Sequence, residues 1–163
     1  MSLTYIIRHT RENLKKCSLR GLEGRPGLTF FSYPECALGK ETLPPLDNVL
    51  LLDLSGRPLT REDSGFGLIL LDGTWKLAQK MAKNCKELHG LSCRSIPAGF
   101  QTAYPRCQHD CPDPSQGLAS IEALYVAFSI LGYPVEGLLD GYYWKEQFLE
   151  KNREIFLLNN IYQ

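Results

Sequence analysis

Phe66-Gly67-Leu68-Ile69-Leu70-Leu71-Asp72-Gly73-Thr74-Trp75 is an apolar run that ends abruptly in an acid, a glycine and a hydroxyl. Strands buried on both faces of a parallel sheet read as such uninterrupted runs. In open α/β sheets, ligands collect outside the carboxyl ends of these strands, where loops lead into helix N-termini. The stretch therefore predicts a buried strand that delivers Asp72 to a ligand-binding rim. After it, Trp75, Ala78, Met81, Ala82, Cys85 and Leu88 recur at helical spacing, with Lys76, Lys80, Lys83 and Lys86 on other faces. A helix is expected to follow the acid directly. Asp72 and Thr74 are also the residue types that cap such a helix, a role that needs no chemistry.

Working outward, Thr4 to Arg8 reads as a short strand and Arg11 to Cys17 as a helical turn or short helix. Leu28 to Ser32 is a further strand, and Gly39 to Pro45 a loop, since Pro44-Pro45 cannot donate to a ladder. Val49 to Leu54 repeats the buried-strand pattern and is expected to end in a polar turn at Ser55-Gly56. Cys93 to Ile96 reads as another strand, closed by Pro97, and Pro105 to Gly117 as a long loop. The segment from Gly117 to Leu131 is apolar nearly all round, which marks a buried helix, with Gly132 placed to end it and Pro134 to prevent a restart. Tyr143 to Leu158 reads as one amphipathic helix with Trp144, Phe148, Ile155 and Leu158 facing inward. Strands and helices interleave, so the expected class is α/β, a sheet with helices on both faces. A length of 163 residues fits a single domain over 1–163, with 1–45 a candidate small N-terminal subdomain.

Eighteen basic and eighteen acidic residues cancel, which argues against nonspecific coating of nucleic acid but leaves room for a local patch. One lies between Arg8 and Arg25, where Arg8, Arg11, Lys15, Lys16, Arg20 and Arg25 face only Glu12 and Glu23. Such runs are solvated faces or phosphate-binding segments. The start of the chain lacks a signal-type apolar stretch, and no run approaches the roughly 20 residues of a membrane helix. A cytoplasmic protein without membrane contact is expected, with its six cysteines as reduced thiols. Cys107-Gln108-His109-Asp110-Cys111 invites a metal reading, but a second ligand pair at suitable spacing is missing, and no metal is expected. No Gly-x-Gly-x-x-Gly follows a strand and no phosphate-loop Gly-Lys-Ser/Thr occurs, so a cofactor would be held by strand-end loops. Glu122 is the sole charge of the buried helix and stands in or near its first turn, where the helix dipole favours an anion. The amides there, with Ser120 and Gly117, could also cradle a ligand.

Asp72-Gly73-Thr74-Trp75, then Arg94-Ser95-Ile96-Pro97 with Ala103-Tyr104-Pro105, then Leu118-Ala119-Ser120-Ile121-Glu122-Ala123, resembles the DTW-domain superfamily. This superfamily includes tRNA-uridine and small-subunit rRNA aminocarboxypropyltransferases. Lys15-Lys16-Cys17-Ser18 is similar to an element of the rRNA branch. The resemblance implies a SPOUT-like, knotted α/β fold that binds S-adenosylmethionine and passes its 3-amino-3-carboxypropyl group to RNA. It implies cofactor contacts at Ser18, Leu70, Leu71, Ile96, Pro97, Gly117, Leu118 and Ser120, with Asp72 and Glu122 at the acidic catalytic positions. RNA contacts are expected at Arg11, Lys15, Lys16 and Arg20.

The chemistry suits these residue types. Attack of a weakly acidic ring nitrogen on a sulfonium carbon needs alignment and a base, and Asp72 is the candidate for that base or for orienting the uracil edge. A catalytically inactive RNA-binding or ribosome assembly factor and a SPOUT-type RNA methyltransferase are the alternatives.

Overall fold

β1 (Thr4–His9), β2 (Leu28–Tyr33), β3 (Val49–Pro58), β4 (Gly67–Asp72) and β5 (Cys93–Ser95) form one sheet in the order β2-β1-β4-β3-β5. The computed structural model describes residues 3–11, 14–15, 17–105 and 117–159. They belong to two compact units, one of residues 1–57 with 65–95 and one of 58–64 with 96–163.

The sheet lies in the first unit. β1 pairs in parallel with β2 and with β4, and β4 in parallel with β3. The apolar runs of β1 and β4 share one phase, so Ile6 stands beside Leu70, Ile7 beside Leu71 and Arg8 beside Asp72. Ile6, Ile7, Leu68 and Ile69 are fully buried, which places both faces of the two middle strands out of water, as their uninterrupted hydrophobicity predicts. On one face Tyr5, Ile7, Val49, Leu51 and Ile69 pack with Met81, Cys85 and Leu88.

The helix after Asp72 is α1 (Trp75–Asn84). Thr74 caps it by accepting a hydrogen bond from the Leu77 amide at 3.4 Å, so the cap is Thr74. α1 is shorter than the periodicity to Leu88 predicts. Cys85 is extended, the His89 ring bonds the Lys83 carbonyl at 2.9 Å, and a 3-10 turn over Lys86–Leu88 returns Leu88 to the core.

β3 does not turn at Ser55-Gly56 as expected but continues to Pro58. Gly56 serves close approach instead: a Cβ there would overlap the Cys93 backbone of β5. Gly56→Ala is expected to lower unfolding free energy by about 1–3 kcal/mol in urea titration. An unchanged midpoint would mean that the two strands do not approach in this way.

The second unit holds α2 (Ser120–Leu131), α3 (Lys145–Lys151) and α4 (Arg153–Leu158). α2 is buried nearly all round and ends, as predicted, at Gly132 in the left-handed region with φ 76°. Phe100, Tyr125, Phe148 and Phe156 meet edge-to-face, with centroids 5.1–6.3 Å apart. The expected helix over Tyr143 to Leu158 is two helices. Asn152 interrupts it, because its amide accepts from the Gln101 N–H at 2.7 Å and donates to the Gln101 carbonyl at 2.8 Å. Phe148, Asn152 and Phe156 are buried at a spacing of four, and Leu158, expected inward, is 82% exposed.

No helix among the described residues is long and apolar enough to cross a membrane. Arg11, Leu14 and Lys15 are exposed, while Glu12, Asn13 and Lys16 lie outside the described residues. The Cys107-His109-Cys111 loop also lies outside them. Among the described residues no group of three or more His, Cys, Asp or Glu is placed to hold a metal.

Candidate functional site

The carboxyl ends of β1 and β4 bring together two residues 64 positions apart in sequence. Arg8 and Asp72 are register partners, and Arg8 Nε donates to Asp72 Oδ2 at 3.1 Å. The Cys17 thiol donates to the same oxygen at 3.1 Å. Arg8 Nη1 reaches Glu23 Oε1 at 2.9 Å, and the guanidinium carbon lies 4.7 Å from the Phe30 ring centroid. Asp72 is 2% exposed. Arg8 Nη2 is buried with no hydrogen-bond partner among the described residues. A buried donor left in that state costs about 1–3 kcal/mol.

Electrostatics set the charge states of Arg8 and Cys17. Burial opposes the Arg8 charge, but Glu23, Cys17 and Asp72 outweigh it, and the guanidinium pKa is raised. Burial and then the Asp72 carboxylate push the Cys17 thiol up to about 12. At neutral pH Cys17 is therefore a hydrogen-bond donor and no nucleophile.

Glu122 forms a separate cluster within the second unit. It is fully buried, and its Oε1 accepts from Thr102 Oγ1 at 2.6 Å and from the Ala119 amide at 2.7 Å. Its Oε2 accepts from the Ala103 amide at 2.8 Å. Glu122 thus occupies the third helical position and caps backward onto Ala119, which as an alanine returns no side-chain bond. The Ala119 amide, one of those expected to be open to a ligand, is occupied by this carboxylate. The Tyr104 amide bonds Thr102 Oγ1 at 3.0 Å, and Lys151 Nζ bonds the Thr102 carbonyl at 3.1 Å. Segment 101–104 is therefore held by Glu122, Lys151 and Asn152 together.

The remaining sequence-predicted residues divide between the units. Ser18, Leu70 and Leu71 belong to the first, Leu70 buried and the other two half-buried. Ile96, Pro97, Gly117, Leu118 and Ser120 belong to the second and are all half-buried. Lys15 and Arg20, like Arg11, are exposed. Sequence reasoning missed Arg8 as a partner of Asp72, as well as Cys17 and Thr102. One signal was present: Thr4-Tyr5-Ile6-Ile7 and Leu68-Ile69-Leu70-Leu71 have equal length, and each ends in a charge of opposite sign.

Residues 34–149 match the DTW domain family. Among solved structures, the chain is similar to the SAM-dependent rRNA:acp-transferase Tsr3 from Vulcanisaeta distributa, with a TM-score of 0.68 and 23% identity. That likeness covers 95% of this chain and 81% of the other. No curated protein matches the sequence.

Proposed function

The chain belongs to the DTW domain family, and from that premise we propose that it transfers the 3-amino-3-carboxypropyl group of S-adenosylmethionine to a uridine or pseudouridine ring nitrogen in tRNA or small-subunit rRNA. The observation that carries this proposal is the buried Asp72 at the carboxyl end of the middle strand, with Arg8 Nη2 beside it, buried and without a hydrogen-bond partner among the described residues. A fold shared with an rRNA aminocarboxypropyltransferase supports it. We extend the same proposal to a SPOUT-like, knotted chain path and a cytoplasmic location.

Each unit, taken by itself, carries residue types suited to part of the cofactor. In the first unit, Leu70 and Leu71 offer an apolar strand end suited to adenine and thioether, and Ser18 a hydroxyl. In the second, Ile96 and Pro97 offer apolar surface, and the 117–120 segment offers a helix N-terminus for the amino-acid tail. When bound, S-adenosylmethionine supplies a sulfonium whose γ-carbon is already activated for displacement. Asp72 Oδ2 is committed to Arg8 and Cys17, which favours orienting the uracil N–H edge over moving freely as a base. Arg8 Nη2 is the donor assigned to a carbonyl of the same ring. Glu122, with both oxygens occupied by backbone and Thr102, acts as a positioning residue for segments 101–104 and 117–120.

Calorimetric titration with S-adenosylmethionine, followed by mass analysis of RNA products, tests this proposal. Saturable one-site binding and an increment of about 101 Da on RNA are expected. An increment of about 14 Da would make the chain a methyltransferase, and none an RNA-binding factor. Asp72→Ala and the milder Asp72→Asn are expected to bind cofactor and lose transfer. Full transfer by either folded variant would remove the role given to Asp72.

A further inference from the structure

From Gly73 to Lys86 the chain carries Lys76, Lys80, Lys83 and Lys86 and not one acid. α1 buries Met81 and exposes Lys76, Lys80 and Lys83. At 3.6 residues per turn these three fall within an arc of about 60° and a length of about 10 Å. Like charges spaced in this way destabilise a helix by roughly 0.2–0.5 kcal/mol per pair, so the row does not serve α1 itself. Lys80, Lys83 and Lys86 have no ion pair among the described residues, whereas Lys145 is paired with Asp140 at 2.9 Å. In a chain of zero formal charge, this is segregated positive charge. The fields of Arg11 and Lys80 overlap at His9, whose pKa is lowered by burial and then by these two cations.

We propose that the lysine row of α1, Lys76, Lys80 and Lys83, seats the sugar–phosphate backbone of the RNA substrate. This rests on RNA being the substrate, as proposed above, and moves the main contact from the Lys15 to Arg20 segment to a helix. Evenly spaced ammonium groups suit a polymer that repeats one charge per residue. Compact, strongly hydrated lysine heads bind phosphates as point charges without reading bases. The seat is therefore indifferent to sequence, and selection of the modified nucleotide falls to the strand ends.

The test uses the full chain and a fluorescein-labelled RNA hairpin with a uridine loop, read by anisotropy from 0.05 to 0.3 M KCl. Each single-stranded phosphate contact contributes about 0.7 to the slope of log K against log salt. The variant with Lys76→Gln, Lys80→Gln and Lys83→Gln is expected to lose about 2 from that slope, and on the order of 100-fold in affinity near 0.1 M salt. Its S-adenosylmethionine titration and circular dichroism are expected to match wild type. A second variant, Lys15→Gln with Arg20→Gln, is expected to retain most of the slope. Wild-type affinity and slope in the α1 variant, with cofactor binding intact, would overturn the lysine seat and leave the transferase proposal standing. Equal displacement of the hairpin by poly-L-glutamate would overturn it in favour of an acidic protein surface. Wild-type chain that binds neither hairpin nor cofactor would overturn both.

Discussion

Glu122→Ala is expected to cost about 3–5 kcal/mol of folding stability, measured by urea unfolding. The carboxylate is fully buried and is the acceptor for Thr102 Oγ1, Ala103 N and Ala119 N. Bonds to a charged acceptor contribute about 1.5–3 kcal/mol each, though not additively, and alanine would orphan the buried Ala119 amide, the half-buried Ala103 amide and a hydroxyl. Glu122→Gln keeps one acceptor oxygen but turns an amino group toward one of the donors, so a loss of about 1–3 kcal/mol is expected. A carboxylate that served chemistry alone would give the opposite pattern: transfer abolished, unfolding midpoint unchanged. If Glu122→Ala lowers stability by less than about 1 kcal/mol, the positioning role is wrong.

Arg8→Met is expected to destabilise by a similar amount, about 3–5 kcal/mol, for a different reason. Methionine keeps much of the volume and the contact with Phe30 but leaves the Asp72 carboxylate, with 3% side-chain exposure, without its cation. The burial cost of an ion falls due when its partner is removed, whereas removing both charges is far less damaging. Adding Asp72→Asn to Arg8→Met is therefore expected to restore most of the loss, since an amide oxygen still accepts from Cys17. A double-mutant cycle by urea unfolding reads this coupling directly. Additive effects would mean that the two side chains do not share one buried interaction. The restored double variant is nevertheless expected to be inactive, having lost both groups proposed to orient the base.

What the sequence disclosed follows from how locally each feature is encoded. β1 and β4 were legible because their side chains are buried on both faces, and burial writes itself as unbroken hydrophobicity. The end of α2 was legible because Gly132 carries its own conformational signature. The interruption at Asn152 was not, since the apolar spacing continues across it and its cause, the Gln101 backbone, lies 51 positions away. The turn expected at Ser55-Gly56 failed for a related reason: glycine marks a bend and a close crossing alike, and only the Cys93 backbone tells them apart. For the site, the acids at 72 and 122 were legible as isolated charges bordering apolar segments. Their partners were not, because an ion pair between parallel strands is fixed by register, a property of two segments at once. Resemblance to a family supplied roles but not these contacts, and the matched range of 34–149 leaves out Arg8 and Cys17.

The route of the chain between its two units bears on biosynthesis. The first unit is left at Pro58, seven residues are given to the second, and the first is rejoined at Gly65. β4, which alone joins β1 to β3, comes after that excursion. A ribosome that has delivered the first 57 residues has made β1, β2 and β3 but not the strand that unites them. The β1–β2 pair can form early, while β3 must wait with both sides of its ladder unfilled, one until Asp72 has emerged and the other until Ser95 has. Residues 58–64 wait longer still, for the helices encoded after residue 96. No single cut can therefore divide this polypeptide into two self-sufficient pieces, and the nascent chain passes through an interval in which an open strand edge invites premature association.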